Sequence, residues 1–284
     1  MRASRSLGHQ VLVWSAIVAG LVWTIFPFLW AFLYSIKPAK LDYGAALLPF
    51  VQFRPTLDHW RWEWLQRGDS EGLGRAMLTS AVVAGAVAVL AIGLGLLGAA
   101  GLIRIHRARL PLGPIVALLL LPRAIPSVTI AAPLSMVARR IGLIDTKIAL
   151  IAIHTTLALP LALLVLHAGL TELPVDLFDA ARLDGATNLQ VLRQIALPLL
   201  RPMLVAVGFL CFALSWNEYL LALYNFGHRT ITAPVAMALV EDRDGIQFDH
   251  LGTHVVLVTL PPLVLAFATQ RFIVRGLSLG AVQG

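Results

Sequence analysis

The sequence has little charge and a single cysteine, and each of these scarcities excludes a class of protein. Asp, Glu, Lys and Arg make up only 13% of the 284 residues, whereas a soluble domain carries about 25%. A water-soluble globule is therefore excluded. Cys211 is the only cysteine, so the chain can form neither an internal disulfide bond nor a cysteine-based metal cluster.

Several chemical motifs are also missing. There is no GxxxxGK[ST] phosphate loop and no H-E-x-x-H zinc-protease motif. The sequence also contains no run of Lys and Arg interleaved with aromatic residues, a pattern that would suggest nucleic acid as a partner. We therefore expect a chain that is not an enzyme and binds no cofactor, metal or nucleic acid.

Hydrophobic residues, by contrast, make up 58% of the chain and concentrate in six segments. A helix of about 20 residues suffices to cross a bilayer. The connections are too short for a separate folded domain of roughly 100 residues. The sequence thus predicts an all-α membrane protein that forms a single domain over residues 1–284. The six predicted transmembrane helices are 11–34, 76–103, 110–138, 148–170, 203–227 and 251–270.

Six crossings place both termini on the same side of the membrane, together with the connections 104–109 and 171–202. The net charge of +7 suits loops that face anionic headgroups. The segment 103–109 is short and rich in arginine, which is typical of cytoplasmic connections. We expect both termini in the cytoplasm and the chain in the cell membrane.

The connection 171–202 is longer than a bundle needs, because helix connections usually take two to eight residues. Its pattern predicts one helix over 175–183 and a second over 188–197. Asp184 and Gly185 break the first helix, and Thr187 with Gln190 forms a capping box for the second. Two prolines, Pro198 and Pro202, are expected to separate this pair from the fifth span. An amphipathic pair lying on lipid headgroups is the alternative.

The order Asp179-Ala180-Ala181-Arg182-Leu183-Asp184-Gly185-Ala186, followed by Ile195-Ala196-Leu197-Pro198, resembles the EAA loop of permease subunits of bacterial ABC importers. Asp179 replaces the Glu of that pattern and Leu192 its aromatic residue. The resemblance implies a coupling-helix elbow between transmembrane helices 4 and 5 that docks on a cytoplasmic ATPase subunit. The residues implied in this coupling are Asp179, Ala180, Ala181, Asp184, Gly185, Ala186, Leu192, Ile195, Leu197 and Pro198.

The end of the chain, residues 270–284, is similar to the tail of carbohydrate importers, in particular the maltose-type second permease. In that branch the tail enters the interface between two ATPase subunits. The resemblance implies docking through Gly276, Gly280 and Gly284, and a frayed terminus is the alternative. The stretch 215–219 also resembles this branch.

Ionisable residues inside the predicted spans include Arg123, His154 and Glu218, while His167 and His254 lie in the spans 148–170 and 251–270. Such residues are costly in a bilayer and usually face protein or a water-filled cavity. At 1.5 Å of rise per residue, Arg123, His154 and Glu218 fall at about the same depth. We expect them to line a translocation path, and a structural pair that never touches solute is the alternative. The predicted path residues are Arg123, His154, Trp216, Asn217, Glu218 and Tyr219.

Together these features predict a permease subunit of an ATP-driven importer for a sugar, oligosaccharide, polyol or related solute. The resemblance implies a second homologous permease, two ATPase subunits that bind ATP and Mg, and an extracytoplasmic binding protein that delivers the solute; membrane lipid surrounds the chain. An importer of a non-sugar solute, a membrane-embedded enzyme or a secondary transporter are the alternatives. A secondary transporter would often show two similar halves, and we find no convincing internal repeat.

Overall fold

The chain is built almost entirely of helices and forms two compact units. One unit comprises residues 1–74 and 236–260, and the other comprises residues 75–235 and 261–284. The predicted single membrane domain stays a prediction. The computed structural model describes residues 7–38, 48–66, 72–107, 111–225, 227, 229–239, 241–242, 245–246 and 248–279.

In the first unit, a long apolar helix packs against the start of the last helix. Gly252 lies so close to the first helix that an added Cβ would come within 2.6 Å of the Ala31 carbonyl oxygen. Glycine thus permits the close backbone approach that is common between membrane helices. The elements with residues in this unit are α1 (Leu7–Ser35), α2 (Asp58–Arg61) with a π-helical turn (Trp62–Gln66), the antiparallel pair β1 (Glu241–Asp242) and β2 (Gly245–Ile246), and the first part of α12 (Phe248–Leu279).

A buried polar cluster joins the π-helical turn to α12. The Glu63 side chain is fully buried, and its Oε1 lies 2.8 Å from His250 Nδ1 while Oε2 lies 2.7 Å from His254 Nε2. The ring of His59 packs edge-on against His250 at 4.9 Å, and His59 Nε2 donates to the Lys37 carbonyl. Burial lowers the pKa of the Lys37 ammonium group. This cluster was not predicted from the sequence.

The second unit is a helical bundle in which small residues let helices approach. A Cβ on Gly95 or Gly98 of the second long helix would meet side chains of Ala162, Leu163 or Leu166, so glycine here serves close packing. The elements in this unit are α3 (Leu73–Arg107), α4 (Leu112–Ala124), α5 (Ser127–Arg140), α6 (Lys147–Glu172), α7 (Val175–Leu183), α8 (Asn188–Val191), α9 (Leu197–Trp216) and α10 (Leu220–Asn225); α11 (Ala233–Ala238) falls at the boundary.

The six predicted apolar segments are all present within the described ranges. Five are single helices long and apolar enough to cross a bilayer, and the sixth is a pair of helices bent by 88°. The all-α, six-segment prediction is confirmed. The five helices are Gly8–Ser35, Leu73–Ile105, Lys147–Glu172, Asn188–Trp216 and His250–Phe272.

The predicted third span, 110–138, is not one helix. It is broken between α4 and α5, where Ile125 adopts an extended backbone with ψ 125 and Pro126 follows with ψ 136. Proline disfavours a helical conformation in the residue before it and supplies no N–H to continue the helix. The chain therefore turns sharply inside this apolar segment.

The predicted separation at Pro198 and Pro202 is wrong, and the fifth apolar helix begins and ends earlier than the predicted 203–227. One helical path runs from Asn188 through a π-helical turn (Leu192–Ala196) into α9. Pro198 is accommodated because it occupies the first turn of α9 directly after that π-helical turn. The helix ends at Trp216, because Asn217 closes its last turn by donating from its side chain to the Ala213 carbonyl.

Asp145 ties the loop between α5 and α6 to the segment after α10. It has a φ of +57, and its carboxylate accepts hydrogen bonds from the backbone N–H groups of Gly227, Arg229 and Thr230 and from the Thr230 hydroxyl. Burial alone would raise the pKa of this carboxyl. The hydrogen bonds from the Thr230 hydroxyl and the three N–H groups lower it by more, so the pKa lies below its ordinary value. The ionised form is therefore the one that the fold stabilises.

The Asp145→Ala variant should lose about 1–3 kcal/mol of unfolding free energy, because several partly buried donors lose their acceptor. Since the folded pKa is depressed, this contribution is present in full above the ordinary value of 3.8 and is lost only as pH falls through the folded pKa. Thermal unfolding in detergent at neutral pH measures the effect. Asp145→Asn, which keeps one acceptor oxygen and tolerates positive φ, is the control and should lose less. Identical melting of Asp145→Ala and wild type would contradict the assignment.

Candidate functional site

A polar cavity lies beside the break between α4 and α5. Its volume is about 140 Å³, and it brings together Arg123 from α4, His154 from α6 and Glu218 from the turn after α9. From the helical rise per residue, these three ionisable residues were predicted to lie at about the same depth in the membrane. The remaining lining residues are Pro122, Ile125, Ser127, Leu157, Ala158, Leu214 and Ser215.

Each of the three ionisable side chains is held by a different partner. His154 is 3% exposed, and its Nδ1 shares a 2.8 Å hydrogen bond with Ser215 Oγ. Arg123 Nη1 donates to the Leu157 carbonyl at 3.4 Å, and Glu218 Oε1 accepts from the Leu221 N–H in the first turn of α10 at 3.1 Å. Within the described ranges, no ion pair joins Arg123 to Glu218. The two charges therefore share the cavity without neutralising each other directly.

The neighbouring residues predicted for the path lie elsewhere. Trp216 is 1% exposed and stacks on Phe212 with ring centroids 5.5 Å apart. The Asn217 side chain donates to the Ala213 carbonyl at the end of α9, and Tyr219 lies in the turn before α10. None of the three is among the residues that line the cavity. Their role in a path stays a prediction.

Two serines of the cavity, Ser127 and Ser215, were not predicted from the sequence. Ser127 opens α5 directly after the break, and Ser215 lies in the last turn of α9. Hydroxyl residues in apolar helices often bond to their own backbone, so their type alone does not single them out. The one indication in the sequence was that Ser215 directly precedes Trp216, a residue predicted to line the path.

The elbow between α6 and α9 has the local structure that its sequence predicted. Gly185, with a φ of +80, ends α7 by donating to the Arg182 carbonyl, and Ala186 N–H donates to the Ala181 carbonyl, which is the Schellman arrangement. Thr187 and Gln190 then form a reciprocal capping box. The predicted helix 175–183 and the capping box are both confirmed.

The elbow exposes apolar side chains at its surface. Leu183 is 89% exposed and Leu189 is 55% exposed. Asp179 pairs at 3.3 Å with Arg182 on the surface of α7. Of the other residues predicted for coupling, Ala180, Asp184, Gly185 and Pro198 are exposed, whereas Ala181, Ala186, Leu192, Ile195 and Leu197 are half-buried. Exposed apolar residues near one another are typical of a surface that contacts another molecule.

The predicted tail is described only in part. Gly276 lies inside α12, which continues to Leu279. Gly280 and Gly284 lie outside the described residues. Docking of the tail stays a prediction.

Comparisons with known proteins place the chain in a family. Residues 91–279 match the model for "Binding-protein-dependent transport system inner membrane component". The chain is 35% identical over 269 residues to the trehalose transport system permease protein SugB of Mycobacterium tuberculosis, covering 92% of this chain and 93% of that protein. It is 29% identical to the trehalose/maltose transport system permease protein MalG of Thermococcus litoralis, covering 98% of each.

The fold has a counterpart among solved structures. A chain of a bacterial ABC transporter involved in the import of the acidic polysaccharide alginate superposes with a TM-score of 0.72 at 18% identity, covering 94% of this chain and 98% of that chain. At this identity the likeness concerns the fold. Together with the family model and the relatives, it shows that the chain belongs to the inner membrane components of binding-protein-dependent transport systems, the permease subunits of ABC importers.

Proposed function

We propose that this chain is a permease subunit of a carbohydrate importer, and that its elbow transmits ATP-driven movement of an ATPase subunit to the polar cavity. The carrying observation is that both helices flanking the elbow also supply cavity residues. α6 contributes His154, and the helical path Asn188–Trp216 contributes Ser215. A displacement of the elbow is thus carried along two stiff helices to the cavity wall.

The cavity favours a hydroxyl-rich solute, and a second permease would complete the binding site. Ser127, His154, Ser215 and the two charged residues offer hydrogen-bonding groups of the kind that sugars require. The volume of about 140 Å³ is smaller than the roughly 300–1,000 Å³ of small-molecule sites. A second, homologous permease would supply the remaining wall. The names of the relatives, which mention trehalose and maltose, support a sugar, oligosaccharide, polyol or related solute.

The remaining partners follow from the family. Two ATPase subunits on the cytoplasmic side bind ATP and Mg. This assignment agrees with the sequence of the present chain, which contains no phosphate-loop motif. Both termini and the elbow face the cytoplasm in this arrangement. An extracytoplasmic binding protein delivers the solute, and identifying the solute that it holds tests the substrate class.

Gly185→Val tests the coupling role of the elbow. A β-branched residue in the left-handed region costs about 1–2 kcal/mol, which lowers the ratio of native to non-native elbow roughly five- to thirtyfold. We expect co-purification of the ATPase subunit and uptake into proteoliposomes to fall, by at most that factor. Gly185→Asn is the matched control, because Asn tolerates a positive φ, and it should retain most of both.

The alternative, an elbow that only lies on lipid headgroups, makes a different prediction. In that case Gly185→Val would retain the ATPase subunit and transport at wild-type rates while still inserting into the membrane. Such a result would remove the coupling role.

A further inference from the structure

A second cavity lies at the end of the bundle where the elbow is attached. It is located where α3 and α6 end and α4 and α7 begin, and its volume is about 450 Å³. It is separate from the polar cavity, since the two share no lining residue. Its walls include Ile103, Leu112, Leu170 and Phe178, with Arg104 and Arg182 among the lining residues.

The lining of this cavity combines apolar walls with positive charge. Both arginines are exposed, and the lining residues that the structure describes include no Asp or Glu. Arg182 also pairs at 3.3 Å with Asp179, but both side chains of this pair are more than half exposed. Exposed pairs of this kind contribute only about 0–1 kcal/mol, so Arg182 can exchange Asp179 for a stronger anionic partner.

The combination selects one class of occupant. A guanidinium group binds a phosphate through paired N–H donors, whereas the apolar walls require a hydrocarbon chain to exclude water. A free phosphate would leave those walls wet, and a zwitterionic lipid would bring no net charge to the two arginines. Only an amphiphile with an anionic head satisfies both parts of the lining.

We propose that this cavity binds an anionic phospholipid, with the headgroup phosphate at Arg104 and Arg182 and an acyl chain along Leu112 and Leu170. Its location at the ends of membrane-crossing helices is where lipid headgroups lie. Phe178 of α7 is part of the wall, so the bound lipid contacts the first helix of the elbow directly. The position of that helix then depends on the lipid composition of the membrane.

The experiment uses the full-length chain, together with the subunits that co-purify with it, in detergent supplemented with phosphatidylglycerol or phosphatidylcholine. Native mass spectrometry counts the retained lipid. We expect phosphatidylglycerol to be retained in preference to phosphatidylcholine, and Arg104→Gln to lower its retention about fivefold, since a basic residue contributes about 1 kcal/mol to such binding. Arg201→Gln, which removes an arginine that is also exposed but lies outside the cavity, should leave retention unchanged.

A cavity-filling variant separates the site from general surface charge. Ile103→Trp leaves the charge unchanged and should also lower phosphatidylglycerol retention. Equal retention of the two lipids by wild type, or equal loss in Arg104→Gln and Arg201→Gln, would overturn the proposal. Displacement of phosphatidylglycerol by inorganic phosphate would instead show a site for a free anion. A Thr171→Cys variant that crosslinks to a partner subunit would show that protein covers the cavity, which also overturns it.

Discussion

Replacement of Glu63 by alanine is expected to lower the free energy of unfolding by about 1–3 kcal/mol. The Glu63 carboxylate is fully buried between His250 and His254. A carboxylate only accepts hydrogen bonds, so His250 Nδ1 donates to it and would lose its acceptor, and the 2.7 Å contact of His254 Nε2 with the second carboxylate oxygen would also be lost. Each buried donor left without a partner costs about 1–3 kcal/mol. Denaturant titration in detergent micelles, followed by tryptophan fluorescence, measures the change.

Glu63→Gln is the matched control because it preserves the size of the side chain. Its acceptor oxygen can still serve His250 Nδ1, and we expect a smaller destabilisation than with alanine. A loss below about 0.5 kcal/mol for Glu63→Ala, the range of ordinary surface substitutions, would show that the cluster does not stabilise the fold.

Glu218→Gln is expected to lower solute uptake by about ten- to a hundredfold while leaving assembly intact. A hydrogen bond to a charged group contributes about 1.5–3 kcal/mol, and 1.4 kcal/mol corresponds to a factor of ten. Glutamine keeps an oxygen that can accept from the Leu221 N–H, so the start of α10 is preserved. Uptake into proteoliposomes and size-exclusion chromatography of the purified importer measure the two effects separately.

Glu172→Gln is the control, since this exposed glutamate at the end of α6 does not line the polar cavity. The reversed pair, Arg123→Glu with Glu218→Arg, tests the structural alternative. Within the part of the chain that the structure describes, the two side chains form no ion pair, so exchanging them should not restore both assembly and uptake. Recovery of both would mean that the residues only orient helices.

The apolar segments were predictable because lipid contact imposes a simple chemical requirement on each crossing helix. α1 shows this directly: only 6% of its most apolar window is buried by the protein, so its hydrophobicity reflects the surrounding lipid. The elbow was also predictable, because Gly185 and the Thr187 capping box act over three or four residues. Local rules suffice where the interacting groups are close in sequence.

The helix break was not predictable, because several prolines look alike in the sequence. Pro122 and Pro133 lie inside α4 and α5, whereas Pro126 follows the extended residue at which α4 ends. Pro198 and Pro202, expected to interrupt a helix, are both within α9. Whether a proline breaks a helix depends on how neighbouring segments satisfy the freed carbonyl groups, which the local sequence does not specify.

The polar cavity around Arg123 was predictable from the sequence, whereas the buried cluster around Glu63 was not. The depth estimate found Arg123, His154 and Glu218, because ionisable residues in a bilayer are rare enough to attract attention. Glu63 lies in a polar segment, where a glutamate is ordinary, and its partner His250 is 187 positions away. Only the folded chain brings those groups together.

The broken third span also changes the electrostatics within the membrane. A continuous helix keeps its dipole ends at the two membrane surfaces, but α4 ends at Ala124 inside an apolar segment. The end of a helix carries roughly half a negative charge, which stabilises a nearby cation by about 0.3–1 kcal/mol, or up to about 2 kcal/mol when partly buried. Arg123 lies in that last turn. The break therefore offsets part of the roughly 2.5–3.5 kcal/mol that a central arginine costs a membrane helix, and the protein keeps a cation at this depth without placing a carboxylate against it.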